Sequence, residues 1–206
     1  MAANFNNSAW FYDRLSRLVY GKALVNSQLY LLQFIKPGSN ILIVGGGTGW
    51  ILEELTKLHP SDLCITYVEV AAGMMTLSQK RNTGKNEVIY INDAIEHVIL
   101  PSDFDAVITP FLFDNFTEHT LKTVFTHIHQ SLKPDGLWLN ADFQLTGKWW
   151  QQVLLKSMFV FFRIVCGIEA SKLPEIAAYF TINGYNVIEK KTFFYDFMVA
   201  RVYRAG

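Results

Sequence analysis

Residues 40–49 read Asn-Ile-Leu-Ile-Val-Gly-Gly-Gly-Thr-Gly, and this stretch decides the fold. Its first half, Asn40 to Val44, is a short apolar run between a turn and a glycine cluster, which is typical of a buried parallel strand. After the cluster from Gly45 to Gly49, the segment from Trp50 to His59 has the pattern of a helix that ends before a proline. A strand that passes through glycines into a helix lets the backbone approach a ligand and present amides at the positive helix end.

Strands and helices alternate along most of the remaining chain. After the glycines the sequence predicts strands at 63–68, 88–91, 104–109 and 137–143, and helices at 74–80, near residue 95 and at 117–132. Further helices are predicted over 12–34 and 173–182, and β-rich runs over 185–190 and 194–203. The last two runs are too close in sequence for a helical crossover, so we expect them to pair antiparallel. The prediction is an α/β fold in which five parallel strands are followed by a hairpin.

Composition narrows the class of protein. Half of the 206 residues are hydrophobic and 17% are charged, which excludes a disordered chain. Eighteen Lys and Arg balance eighteen Asp and Glu, so no global positive field is available to hold a nucleic-acid backbone. Cys64 and Cys166 form no CxxC motif and have no neighbouring histidine. We therefore expect no nucleic-acid partner, no disulfide framework and no metal site.

We interpret the chain as one cytoplasmic domain. Its first residues lack a basic segment followed by an apolar core, and no run approaches the roughly 18 apolar residues of a spanning helix. Within the domain we predict an amino-terminal helical cap over 1–36 and a ligand-binding core over 37–143. The remainder, 144–206, is predicted to hold a substrate-side insert, a helix and the hairpin.

Two carboxylates follow the next two predicted strands. Glu69 lies 24 residues after Gly45, where an acidic side chain can accept hydrogen bonds from ribose hydroxyls, and Asp93 ends the third strand. The alternatives are a solvated strand end for the first carboxylate and a helix N-cap for the second. A dinucleotide fingerprint GxGxxG would need glycine where Trp50 stands, which disfavours a pyrophosphate site.

The ordered set resembles the class I S-adenosylmethionine-dependent methyltransferases. It consists of strand-GGGTG-helix, strand-Glu69, strand-Asp93-Ala94, FDAVIT and LKPDGLWL, and it covers about Asn40 to Phe143. The ending LPEIAAYFTINGYNVIEKKTF is similar to that family's last helix and hairpin. The resemblance implies a doubly wound, Rossmann-like, seven-stranded sheet with the order 3-2-1-4-5-7-6 and strand 7 antiparallel. It also implies S-adenosylmethionine as cofactor, with S-adenosylhomocysteine as product.

The resemblance further implies a set of cofactor-binding residues. They are Gly45, Gly46, Gly47, Thr48, Gly49, Glu69, Val70, Asp93, Ala94 and Thr109. The glycines would line the methionine part, Glu69 would take the ribose hydroxyls, and Asp93 with Ala94 would face the adenine. Thr109 and the backbone after it would flank the sulfonium. The family commonly has an acidic residue two positions before the first glycine, where this chain has Ile43, and it usually has glycine in place of Asp135.

Methyl transfer from a sulfonium is a direct displacement, so alignment and exclusion of water supply much of the rate, and only some methyl acceptors need a general base. The candidate catalytic residues are Asp114, His119 and Tyr12. The first two have as alternatives a charge at a helix start or a solvated side chain. Tyr12 is a candidate for a lid over the cofactor, with core packing as its rival.

The segment 148–168 is predicted to be a helix with a wide apolar surface and a basic stripe that contains Lys148, Lys156 and Arg163. Four interpretations stay open: core packing, a lipophilic acceptor pocket, a homodimer interface, and contact with a membrane surface. We expect a methyltransferase acting on a small lipophilic or aromatic acceptor. The alternatives are a nonenzymatic binding module with the methyltransferase fold and a nicotinamide-dependent oxidoreductase.

Overall fold

The structure, a computed structural model, describes residues 20–166 and 172–205. The helices are α1 (Ala23–Leu32), α2 (Trp50–Leu58), α3 (Ala72–Ser78), α4 (Glu118–Ser131), α5 (Trp149–Cys166) and α6 (Ile176–Ile182). The strands are β1 (Asn40–Val44), β2 (Ser61–Val68), β3 (Lys85–Ile91), β4 (Phe104–Pro110), β5 (Leu132–Phe143), β6 (Tyr185–Phe193) and β7 (Met198–Ala205). Short 3₁₀ helices at Ile95–His97 and Phe113–Asn115 follow β3 and β4.

The strands form one sheet in the order β3-β2-β1-β4-β5-β7-β6. The first five strands are parallel, whereas β7 pairs antiparallel with both β5 and β6. The predicted strand order and the antiparallel seventh strand are therefore confirmed. Because the parallel strands share one direction, the segments after β1, β2, β3, β4 and β5 all leave the sheet at its carboxyl edge, where open α/β folds bind ligands.

Both faces of the sheet are covered, which explains the continuous apolar runs in the central strands. One core joins α1, α2 and α5 to the sheet and contains Ile43, which has no exposed surface. The second core lies on the other face, under α4 and α6, and contains Trp138. In β5, Leu139, Ala141 and Phe143 belong to the first core, so the alternate side chains of Asn140 and Asp142 point to the opposite face.

Several boundaries differ by a few residues from the predicted ones, and the largest differences concern β5 and the first helix. The strand β5 begins at Leu132 and not at Leu137, because the expected turn is absorbed as an irregularity within the strand. There Leu132 and Leu137 pair with Phe104 and Ala106, and Asp135 adopts a left-handed φ of 63°. The first helix begins at Ala23 within the described residues, and the part of the prediction before residue 20 lies outside them.

Across residues 20–166 and 172–205, none of the helices has the length and apolar character that crossing a membrane requires.

Candidate functional site

The loop after β1 is built so that no side chain can stand at two of its positions. A Cβ at Gly46 would lie 2.5 Å from the Tyr67 ring. A Cβ at Gly49 would lie 2.6 Å from the Cα of Ser78, and Gly49 also has a left-handed φ of 76°. At Gly47, by contrast, the nearest atom would be the Met74 sulfur at 3.8 Å. The loop is thus packed tightly against β2 and α3 and keeps an open side at Gly47.

Glu69, the residue after β2, ties this loop to the next one. Its Oε2 accepts a hydrogen bond from the Gly47 N–H at 3.0 Å, and its Oε1 accepts one from the Ala71 N–H at 2.9 Å. The Tyr67 hydroxyl donates to the Gly47 carbonyl at 2.9 Å, which fixes the loop from a second side. The position predicted from sequence is therefore occupied by a carboxylate that already organises the glycine loop.

The Glu69 carboxylate is buried but keeps capacity for a ligand. Burial raises its pKa, and the N–H groups of Ala71, Gly47 and Val70 act in the opposite direction. A carboxylate oxygen accepts two hydrogen bonds, and each of these two oxygens receives one from the backbone. With the Val70 N–H also facing the group, the carboxylate keeps part of its accepting capacity, which fits the predicted contact with a ribose hydroxyl.

The ends of β2 and β3 are joined by a residue that the sequence reasoning missed. Asn92 donates through Nδ2 to the Glu69 carbonyl at 2.7 Å and to the Val70 carbonyl at 3.1 Å. The next residue, Asp93, accepts the N–H of Ala94 at 2.7 Å and lies 3.3 Å from His97 Nδ1, with its carboxylate about half exposed. A side-chain amide placed directly after a strand was the available signal for this bridge.

Val70 and Ala94 stand beside that bridge. Val70 is 38% exposed, which is unusual for valine, and Ala94 is partly exposed. Together with Asp93 they give the carboxyl edge between β2 and β3 an apolar surface next to a carboxylate. This combination suits a flat, nitrogen-rich ring, and the adenine contact stays a prediction. We call the loop 45–49, residues 69–71 and residues 92–94 the glycine-loop region.

Thr48 and Thr109, two predicted cofactor residues, hold other partners. Arg81 donates through Nε to the Thr48 carbonyl at 2.9 Å and pairs with Glu53 at 3.3 Å. Thr109 is fully buried, donates to Asn140 Oδ1 at 2.9 Å and accepts from the Trp138 indole at 3.0 Å. The Thr109 hydroxyl is thus engaged inside the sheet, and a contact with the cofactor would come from the backbone that follows it.

The segment after β4 brings a second group of residues against the glycine loop. A Cβ at Gly45 would lie 2.9 Å from Leu112 Cδ1, so Leu112 rests on that glycine. The Phe111 N–H donates to the Ala141 carbonyl at 2.7 Å, and the Phe111 ring lies 5.0 Å from Phe143. These contacts join the segment after β4 to the end of β1 on one side and to the end of β5 on the other.

An aromatic cluster continues from this point to the hairpin. The Tyr20 ring lies 5.6 Å from Phe143, 5.6 Å from Phe194 and 6.3 Å from Phe197. Its hydroxyl contacts the sulfur of Met158 in α5 at 3.5 Å. Tyr20 is 7% exposed and is the first described residue of the chain. The cluster therefore joins the amino-terminal helix region, β5, α5 and the turn before β7.

Two buried carboxyl groups lie at the carboxyl ends of β4 and β5, and one of them, Asp114, acts on Tyr20 of the aromatic cluster. Asp114, in the 3₁₀ helix after β4, is 8% exposed and accepts the Asn115 amide at 2.9 Å. Asp142, near the end of β5, is 2% exposed and accepts its neighbour's N–H through Oδ1. Its Oδ2 has no hydrogen-bond partner among the residues that the structure describes. The Phe113 N–H also faces this carboxyl, and the buried Oδ2 is the atom at which a further polar group would bind.

The charges of these groups are coupled. Burial raises the pKa of Asp114 well above its ordinary value, and the Asp142 carboxylate raises it further. Burial raises the pKa of Asp142 to about 7, against the N–H of Phe143 and the guanidinium of Arg201. Burial also raises the pKa of Tyr20, and the charge of Asp114 adds to this effect. The charge of Asp142 therefore acts on Asp114, and the charge of Asp114 acts on Tyr20.

We call Tyr20, 111–114, 142–143 and 194–197 the aromatic–carboxyl region. Of the predicted catalytic residues, the structure brings only Asp114 into it, among the described positions. His119 is exposed on the first turn of α4, and Tyr12 lies outside the described residues. Sequence reasoning missed Asp142 and Tyr20. An acidic residue within an otherwise apolar strand was the signal available for Asp142.

Comparisons with known proteins agree with this geometry. Residues 41–136 match the family model described as a methyltransferase domain. The chain is 32% identical over 142 residues to the malonyl-[acyl-carrier protein] O-methyltransferase of Bacillus cereus, covering 68% of this chain and 51% of the relative. It is 30% identical over 145 residues to the ubiquinone/menaquinone biosynthesis C-methyltransferase of Wigglesworthia glossinidia brevipalpis, covering 68% and 57%. The chain therefore spans about half the length of the curated relatives it matches.

A solved structure shows the same fold. The Burkholderia thailandensis 1,6-didemethyltoxoflavin-N1-methyltransferase, solved with S-adenosylhomocysteine, superposes with a TM-score of 0.67 at 14% identity, over 98% of this chain and 85% of that one. Sheet order, the loop 45–49 with Glu69, and the matched family model all point the same way. Residues 41–136 thus form a methyltransferase domain, and the sheet is that of the class I methyltransferases, whose cofactor is S-adenosylmethionine.

Proposed function

We propose that this protein transfers a methyl group from S-adenosylmethionine to a small lipophilic or aromatic acceptor bound at the carboxyl edge of β4 and β5. The observation that carries the proposal is the contact between the two regions of the site. Leu112 rests on Gly45 of the glycine loop, and Asp114 follows two residues later. A methyl donor held by the loop and an acceptor held by the aromatic cluster would therefore meet around Leu112.

The glycine-loop region would hold the cofactor. Glu69 would accept the two ribose hydroxyls, and the open side of the loop at Gly47 would take the methionine part. Val70, Asp93 and Ala94 would contact the adenine. The cofactor supplies a methyl group on a positively charged sulfur, which is why no metal or acid is needed to activate it.

The aromatic–carboxyl region would hold the acceptor. Rings at Tyr20, Phe143 and Phe197 offer an apolar wall that excludes water, and they favour an aromatic or lipophilic body. One relative named above is a malonyl-[acyl-carrier protein] O-methyltransferase, and the other is a C-methyltransferase of ubiquinone and menaquinone biosynthesis. Of these two, the quinone pathway offers the apolar kind of acceptor that fits the rings found here.

Asp114 would take the proton from an acceptor O–H or N–H. In this step the acceptor's lone pair forms a bond to the methyl carbon while the carbon–sulfur bond breaks with its electrons on sulfur. The acceptor's proton passes to Asp114. Burial and the neighbouring Asp142 raise the pKa of Asp114, which brings this weak base nearer to the operating pH. Asp142 would act through Asp114 as a positioning residue.

One observation favours a second candidate, a binding module that holds the nucleoside without turnover. The family's usual acidic residue at the end of β1 is replaced by Ile43, and that side chain is fully buried in the core. No carboxylate at that position can orient the methionine amine. The two candidates differ in one measurable property, since only the enzyme incorporates methyl groups into an acceptor.

The test uses methyl-labelled S-adenosylmethionine and the small-molecule fraction of a cell extract, separated after incubation into organic and aqueous phases. We expect label in the organic phase with the wild type and loss of that label with Glu69→Gln. Glu87→Gln is the matched control, because Glu87 is an exposed carboxylate on the adjoining strand β3. Label in neither phase, with S-adenosylhomocysteine still bound, would favour the binding module. Label in the aqueous phase alone would contradict the lipophilic acceptor.

A further inference from the structure

We propose that the outer face of α5 docks this protein onto a membrane surface of anionic phospholipid. The inference starts from four large apolar side chains that point away from the core. Trp149 is 77% exposed, Val153 58%, Val160 56% and Ile164 79%. At 100° per residue these positions fall within about 60° of one another, and they form a ridge about 22 Å long. We call this set the α5 ridge.

The opposite side of α5 packs against the protein core, so the ridge is a separate surface that faces outward. Gln151, Leu155 and Phe159 are buried against the protein. Trp150 packs on Phe197 at 5.7 Å, and Met158 contacts Tyr20. The helix is therefore apolar on both sides, and only one of its sides has a partner within the described chain. Contiguous exposed apolar surface of this kind marks an interaction site.

The charge beside the ridge identifies the partner. Lys156 and Arg163 are exposed and lie within about 40° of the ridge on the same helical wheel. The sequence of α5, 149–166, contains no Asp or Glu. A row of basic residues beside a row of large apolar residues is the pattern of helices that lie in a membrane interface, where the cations reach lipid phosphates.

Aromatic residues at one end support the same orientation. Trp149 begins the ridge, and the neighbouring Tyr195 is 78% exposed. Lys148 holds that tyrosine's segment through a 2.8 Å hydrogen bond from Nζ to the Tyr195 carbonyl. Tryptophan and tyrosine are enriched at the level of lipid headgroups because one part of each ring is apolar and another is polar.

A second copy of the chain is a poorer partner for this face. The four side chains of the ridge expose roughly 500 Å² of accessible surface, whereas a stable dimer buries about 800 Å² on each partner. A symmetric contact would also bring the same basic residues together with no acidic residue on α5 to balance them. Docking to lipid carries no such penalty, because the phosphates supply the opposite charge.

Co-sedimentation with vesicles tests the proposal, using phosphatidylcholine with and without about a third of phosphatidylglycerol. We expect the wild-type chain to bind the anionic vesicles and Lys156→Glu/Arg163→Glu to bind them roughly 30-fold more weakly. We expect Trp149→Ser/Ile164→Ser to weaken binding to the anionic vesicles by roughly tenfold or more. The control is Ile99→Ser/Ile182→Ser. These two isoleucines are 96% and 82% exposed, and they lie in segments that pack on the opposite face of the sheet from α5.

Three outcomes would overturn the proposal: no binding of the wild type, equal losses in the control, or equal binding to both vesicles. A wild-type dimer in sedimentation velocity that Trp149→Ser/Ile164→Ser dissociates would also overturn it and would assign the ridge to a second copy. Calorimetric binding of S-adenosylhomocysteine should be unchanged in all these variants. A failure of membrane docking is therefore distinguishable from a failure of the proposed function.

Discussion

The glycine-loop region and the aromatic–carboxyl region share one edge of the sheet but are assembled differently. In the first, Glu69 lies 24 residues after Gly45, and the glycine loop is fixed by backbone hydrogen bonds, such as that from the Gly47 N–H to Glu69. In the second, Tyr20, Asp142 and Phe197 come from distant parts of the chain. The comparison shows that the glycine-loop region is specified by local sequence motifs, whereas the aromatic–carboxyl region is assembled only when the sheet brings distant residues together.

The largest expected effect separates the chemistry of the two regions. Replacing Asp114 with asparagine should lower the rate of methyl transfer roughly 100- to 10,000-fold, because the proton acceptor is lost.

Replacing Asp142 with asparagine should leave the maximal rate nearly intact but move the rising limb of the pH–rate profile down by about one pH unit, since a like charge is removed. Steady-state kinetics across pH 5 to 9 check both. An unshifted profile in Asp142→Asn would break the assignment of its role.

A second prediction concerns the backbone of the glycine-loop region. Gly49→Ala should lower the free energy of unfolding by about 3 kcal/mol, because the new Cβ meets the Ser78 backbone at 2.6 Å. Gly38→Ala is the matched control, since Gly38 has a similar φ of 74° and an added Cβ would meet nothing within 4 Å. That control should cost about 1 kcal/mol, from the left-handed backbone alone. Equal losses in denaturant unfolding would show that close packing at Gly49 does not matter.

The buried carboxyl groups of Asp114 and Asp142 should also make the free energy of unfolding depend on pH. Burial raises the pKa of Asp142 to about 7, whereas an unfolded aspartate titrates near pH 4, so the folded state binds more protons between these values. The free energy of unfolding should therefore fall as pH rises from about 4 to about 7, by about 3 kcal/mol. Asp142→Asn should flatten this slope. An unchanged slope in urea titrations would mean that the pair is solvated in the folded state.

The smallest expected effect sharpens the role of the aromatic cluster. Tyr20→Phe keeps the ring that packs on Phe143 and Phe194 and removes only the hydroxyl that contacts Met158. The melting temperature should change by no more than a few degrees, because a weak contact to sulfur is worth about 0.5 kcal/mol. A large drop in differential scanning calorimetry would show that the hydroxyl, and not the ring, holds the cluster together.

The sequence predicted most of the fold because its signals are local. The pattern of apolar strands gave the parallel core, and the short spacing between the last two strands gave the antiparallel hairpin, with the full order implied by family resemblance and confirmed by the sheet. The predicted start of β5 was wrong because Lys133 to Gly136 have the sequence pattern of a turn between a helix and a strand. The structure keeps those residues within the strand as a bulge against β4.

The candidate site was predictable to the extent that it is local. The glycine loop and Glu69 follow from a strand-turn-helix pattern and a strand end, and their geometry fits the predicted ligand. For Asp142 the local signal was only an acidic residue within an apolar strand, because its importance comes from burial next to Asp114, which follows a different strand. The family model ends at residue 136, before β5 supplies this second carboxyl.

The central claim is that one region binds the cofactor and the other serves the acceptor. Isothermal titration calorimetry with S-adenosylhomocysteine, on the wild type, Glu69→Gln and Asp114→Asn, tests it most directly. We predict that Glu69→Gln weakens binding about 10- to 100-fold through loss of charge-assisted hydrogen bonds, whereas Asp114→Asn binds within about twofold of the wild type. Full affinity in Glu69→Gln, or an equal loss in Asp114→Asn, would contradict the division of the site.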